Sequence, residues 1–199
     1  PGSYGSFDFN NLKYNSYITI KSADVNNKAE FDKIHIENSN NIKIDSIHVN
    51  NPNYVDPAGS TVKIDGWSQN IEFINSEVNG PVNGNFGGRG FYIREASSIS
   101  IYNNDIHHVR DGITSFKSND ISVRENTIDF ITNDGMKFGE INTVLIENNT
   151  LPRTVIKHEG GHNDYIQFQG DSQDIIIRGN VGLPETEYHT QGIFMAPGT

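Results

Sequence analysis

The chain has 199 residues, a net charge of −10 and no cysteine, which excludes disulfides and thiolate chemistry and argues against a nucleic-acid backbone as partner. Hydrophobic residues make up 34%, lean for a compact globule but suited to a narrow solenoid whose coils each turn few residues inward. No run approaches the ~18 apolar residues of a membrane helix, and no signal peptide is visible.

Taken in chain order, two kinds of strand alternate. GSFDF (5–9) begins a series that continues with FDKIHIE (31–37), GSTVKID (59–65), GRGFYIR (88–94), RDGITSF (110–116), NDGMKFG (133–139), NDYIQFQ (163–169) and TQGIFMA (190–196). Each of these segments alternates at period two, so one face turns inward. Between them recurs a second motif: SNNIKIDSIHV (39–49), SQNIEFINSEV (68–78), SSISIYNNDI (97–106), SNDISVRENTI (118–128), NTVLIENNTL (142–151) and SQDIIIRGNV (172–181). Its first aliphatic residues, Ile42, Ile71, Ile99, Ile121, Val144 and Ile175, stand 29, 28, 22, 23 and 31 residues apart. A basic period near 22 with occasional extra residues predicts a solenoid.

Five residues after the first aliphatic come Asn104, Asn126, Asn149 and Asn180, with Ser76 in an earlier coil. Stacked amides in register form a hydrogen-bonded ladder, so these residues read as scaffold. The extra residues (VNNPNYVDPAG, VNGPVNGNFGG, LPRTVIKHEGGH, VGLPETEYHT) all fall at one junction, before the first kind of strand. Insertions confined to one face commonly mark a binding face. The expected fold is all-β, a right-handed parallel β-helix of about 7–8 coils. The opening PGSYGSFDF and the closing QGIFMAPGT carry no cap of the kind a solenoid end needs, so 1–199 reads as a single segment of a longer helix.

The candidate site follows from the outward positions of the first kind of strand. One column reads His35, Lys63, Tyr92, Thr114, Lys137, Gln167, Phe194; the next reads Glu37, Asp65, Arg94, Phe116, Gly139, Gln169, Ala196. Mixed cations, amides, carboxylates and rings suit a sugar polymer, and a linear polymer suits a long strand surface. Lys63, Asp65, Thr114, Gln167, Gln169 and the loop residue His189 are expected to bind substrate. Cleaving a uronate polymer by β-elimination needs a cation to stabilise the developing enolate and groups that move protons. Tyr92, Arg94, Lys137 and His162 are the candidates for those roles.

A further column contains Asp111, Asp134 and Asp164. Asp-Gly pairs at 111–112 and 134–135 are also ordinary turn dipeptides. Three stacked carboxylates repel unless a proton or cation intervenes, and Ca²⁺, which prefers several oxygen ligands, would answer that. As catalytic acids instead, Asp111 and Asp164 would lie two coils apart, about 9–10 Å, near the spacing of an inverting glycosidase pair.

The pattern D-G-φ-x-φ followed by s-x-x-I-x-I-x-x-N-x-I resembles the pectate-lyase-like β-helix superfamily. The stretch PGSYGSFDF…YITIKSADVNNKAEFDKIHIENSNNIKIDSIHV is similar to early coils of alginate- and chondroitin-type lyases and of phage tail spikes. The run Lys63-Ile64-Asp65-Gly66-Trp67 resembles the Lys-Val-Asp-Gly-Trp run of mannuronan epimerase modules. Where that family carries Gly-Phe-Asp-Pro-His, this chain has Gly90, Phe91, Tyr92, Ile93 and Arg94, without the catalytic Asp and His. His162-Asn163-Asp164-Tyr165-Ile166-Gln167 is similar to an H-x-D-x-I-Q element of other β-helix proteins. The resemblance implies an extracellular protein, secreted or on a virion surface, that binds and cleaves an acidic polysaccharide, as a homotrimer if it is a spike. The alternatives are a non-enzymatic fibre or receptor-binding module and an inverting hydrolase.

Overall fold

The computed structural model describes residues 2–52, 56, 58–82, 86–152, 163–184 and 190–196, which form three parallel sheets of eight, seven and seven strands. The first sheet runs Ser6–Asn10, Lys33–Glu37, Ser60–Asp65, Arg89–Arg94, Asp111–Phe116, Met136–Gly139, Asn163–Gln169 and Thr190–Ala196. The second begins with Lys13–Lys21 and Asn40–Asp45 and ends with Gln173–Arg178. The third is made of short strands such as His48–Asn50, Glu77–Asn79 and Asp105–Val109. In every sheet, strands that are neighbours in space come from successive coils, so the chain winds as a solenoid. The third sheet was not legible as a separate element, because its strands form the tails of the 22-residue motif.

The alternation seen in the sequence becomes an alternation of burial. Lys33–Glu37 and Ser97–Tyr102 each bury every second residue, and the buried side chains form one continuous aliphatic core. Aromatic contacts link its layers. Phe73 meets Phe91 edge-on at 5.0 Å, and Phe138 stacks on Phe168 at 5.2 Å. The register agrees with the sequence columns throughout: Ile34 pairs with Val62, Val62 with Phe91, Phe91 with Ile113, Ile113 with Met136, and Met136 with Ile166.

Polar side chains fix the corners. At the corner between the second and third sheets, Asn104 donates through Nδ2 to Oδ1 of Asn126, Asn126 to Asn149 and Asn149 to Asn180, at 3.0, 3.0 and 2.9 Å. Each Nδ2 also donates to a main-chain carbonyl of the preceding coil, among them Phe73 and Ile101, both at 2.9 Å. At the corner between the first and second sheets, a single residue takes the left-handed conformation in several coils: Asn38 (φ 46), Glu95 (φ 51), Lys117 (φ 53) and Glu140 (φ 52). Side chains seldom adopt this region, and here it turns the chain sharply from one sheet into the next.

Candidate functional site on the first sheet

The outer face of the first sheet is built by register. His35 pairs with Lys63, Lys63 with Tyr92, Tyr92 with Thr114, Thr114 with Lys137, and Lys137 with Gln167. Successive residues in this column therefore sit about one strand spacing apart, ~4.8 Å.

Two clusters stand on this face. In the first, Asp65 is the hub. Its Oδ1 lies 2.7 Å from His35 Nε2, and its other oxygen pairs with the Lys63 ammonium. The second ring nitrogen of His35 lies 3.7 Å from Asp8 Oδ1. His35 is thus an imidazole held between two carboxylates. It belongs to the outward column of the sequence, but only the fold shows its partner, since Asp65 is 30 residues away.

The second cluster surrounds Tyr92. The Arg94 guanidinium lies beside the Tyr92 hydroxyl, and that neighbour, followed by Glu95, holds Arg94 above its ordinary pKa. Arg89 lies over the Tyr92 ring at 4.8 Å from its centroid, a cation–π arrangement. Arg94 also pairs with Glu95 at 3.4 Å. One coil beyond Tyr92, Thr114 is buried, and its hydroxyl has no hydrogen-bond partner among the described residues. The Phe116 ring lies over Gly139, where any side chain would collide with it. Gln169 donates to Gln167 at 3.2 Å.

The Asp column lies beneath this face rather than on it. Asp111, Asp134 and Asp164 are 1%, 2% and 0% exposed. Asp111 is held by Arg110 Nε at 2.9 Å and accepts from Asn133 at 2.6 Å. Asp134 accepts the backbone amide of Asp164 at 3.1 Å and lies 3.8 Å from Lys137 Nζ. Burial first, and the neighbouring Asp111 charge second, push the Asp134 carboxyl up to about 6. Asp111 and Asp134 accept the main-chain amides of Asp134 and Asp164 in the next coil, at 3.3 and 3.1 Å, the turn role an Asp-Gly pair allows. A Ca²⁺ ion needs about 6–8 converging oxygens. Among the described residues, no three acidic or histidine side chains converge in that way.

Lys63, Asp65, Tyr92, Arg94, Thr114, Lys137, Gln167 and Gln169 therefore share one sheet face, and the three Asp residues support it from below. His162 and His189 lie outside the described residues.

No family model and no curated protein matches the sequence. Solved structures do share its architecture. DFA-IIIase from Arthrobacter chlorophenolicus A6 without its lid superposes with TM-score 0.55 at 12% identity, covering 100% of this chain and 62% of that one. The enzymatically active domain of bacteriophage CBA120 tailspike protein 2 superposes with TM-score 0.53 at 11% identity, covering 89% of this chain and 33% of that one. The chain is a right-handed parallel β-helix. This β-helix spans less than two thirds of either structure, and at such low identity the likeness is one of fold.

Proposed function

We propose that the outer face of the first sheet binds an acidic polysaccharide and cleaves it by β-elimination. The observation that carries this reading is Tyr92, a phenol covered by Arg89 and beside Arg94, with Lys63 one coil before it and Lys137 two coils after it. Four cations on one face of a chain whose net charge is −10 form a local site for a polyanion. That the enzymatically active domain of a tailspike shares this fold supports a glycan as substrate, and supports a secreted or virion-borne protein.

In the proposed reaction Arg94 neutralises the uronate carboxylate and the enolate that develops from it. Tyr92 and Lys137 are the proton-moving pair. One removes the hydrogen at C5, its electrons form the C4–C5 double bond, the C4–O bond breaks, and the other protonates the departing oxygen. Asp134, 3.8 Å from Lys137 Nζ, positions that ammonium. Gln169 binds a sugar hydroxyl, with the buried Thr114 and Gln167 behind it, and the Asp65–His35 pair orients Lys63. Asp111 and Asp164 are buried, which weighs against an inverting hydrolase built on them.

The test is incubation with alginate, pectate, chondroitin sulfate and hyaluronan while ultraviolet absorbance of unsaturated uronate is followed. Absorbance should rise on at least one polymer, and Arg94→Ala should lower kcat by about 10²–10³-fold. Neither absorbance nor chain shortening on any of the four would sink the reading. Full activity in Arg94→Ala would remove that residue from it.

A further inference from the structure

The turns joining the first sheet to the second are nearly invariant in length. From the last inward residue of one strand to the first inward residue of the next is six positions in Ile36 to Ile42, Ile93 to Ile99 and Phe138 to Val144. It is seven from Phe168 to Ile175 and from Ile64 to Ile71, where the turn carries the tryptophan. The fold accommodates the additional residue by placing Gly66 in the left-handed position (φ 62) and setting Trp67 beyond it, also left-handed (φ 65). A side chain at Gly66 would meet Glu37 Cγ at 2.9 Å and Asn38 N at 3.0 Å, so glycine is required there. The Trp67 amide is anchored by a 2.7 Å bond to the Glu95 carbonyl. The result is that the one tryptophan in the chain stands 69% exposed on a rigid corner.

Trp67 forms the end of a cavity of about 520 Å³ that runs along this corner, parallel to the solenoid axis. One wall is the left-handed column Glu95, Lys117 and Glu140; the other is Gln69, Ser97 and Asn119 from the starts of successive strands of the second sheet. An apolar ring face followed by amides, a hydroxyl and carboxylates is the composition that holds a sugar, with the ring against its C–H face and the polar groups on its hydroxyls. Two carboxylates against one ammonium disfavour an anionic sugar. Lys117 is already drawn to Glu140 at 4.0 Å.

We infer that this corner groove is a second glycan subsite, one that takes neutral sugar residues. It adjoins the first-sheet face through the 3.4 Å Arg94–Glu95 pair. The inference rests on the glycan reading above and sharpens it: the substrate is a heteropolysaccharide whose neutral residues lie along the corner while its uronates lie on the sheet.

Trp67, as the single tryptophan, reports occupancy directly. The intact chain is titrated with cello-, manno- and N-acetylchito-oligosaccharides while tryptophan emission is recorded, and Kd is measured by calorimetry. A saturable shift in emission with at least one series is expected. Trp67→Ala should weaken binding about tenfold, and Trp67→Phe should restore most of it, with circular dichroism confirming that both variants fold. Emission unchanged by every series, or unaltered affinity in Trp67→Ala, overturns the subsite. The two proposals fail separately: binding of neutral sugars without lyase activity leaves this groove standing, and lyase activity with a silent Trp67 leaves only the sheet.

Discussion

Asp134 is the residue at which the electrostatics of this fold are most exposed to measurement. Its folded-state pKa, about 6, is raised above its ordinary 3.8, so the folded protein holds a proton that the unfolded chain gives up. Stability from this group is fully present below 3.8 and is lost as pH rises through about 6. At neutral pH the ionised carboxylate then costs at most about 3 kcal/mol. Asp134→Asn should flatten the fall in stability across that interval. The measurement is Tm against pH for variant and wild type. Their difference isolates Asp134, because His108, lowered mainly by burial, pulls the wild-type curve the other way. Parallel curves would show that Asp134 does not titrate in that interval. Asp134 also marks a boundary in what residues reveal. Its place in a stacked column was legible from Asp111-Gly112 and Asp134-Gly135, but its depth was not. Whether such a side chain points out or caps the next coil's amide is decided by neighbours 22 and 30 residues away.

Among the elements, the coil corner is where sequence and structure agree most closely. Asn126 donates to Ile101 O, Arg124 O and Asn149 Oδ1 and accepts from Asn104. Asn126→Ala leaves several of these buried groups unsatisfied and should cost about 2–4 kcal/mol, read as a lower urea midpoint at unchanged m-value. A loss no greater than that of an ordinary surface substitution would show that water replaces the amide. The strands of the first sheet were legible because period-two alternation in Lys33–Glu37 or Arg89–Arg94 reports burial directly. The third-sheet strands were not, since most are only two or three residues long, such as Glu30–Phe31, and carry no period. The site was half legible for a related reason. A column of outward residues can be counted from the register, which gave Lys63, Tyr92 and Arg94. The His35–Asp65 contact joins two columns diagonally, and a column count does not display it.

At the scale of the whole molecule, each coil touches only its neighbours, so stability is close to a sum along one dimension. Phe91 is fully buried and packs on Phe73. Phe91→Ala should cost about 3–5 kcal/mol, and the damage should stay local. Hydrogen exchange should speed up in Ser60–Asp65, Arg89–Arg94 and Asp111–Phe116 and hardly change in Asn163–Gln169. Uniform loss of protection would mean that the solenoid opens as one unit. The asparagine ladder adds a property of a different kind. From Asn104 to Asn180 every Oδ1 faces the preceding coil, so the amide dipoles point the same way and reinforce one another, as peptide dipoles do along a helix. The solenoid is therefore polarised lengthwise, with its negative pole toward the amino-terminal coils. Two such columns can be joined head to tail without electrostatic conflict, whereas joining like ends would set matching poles against each other.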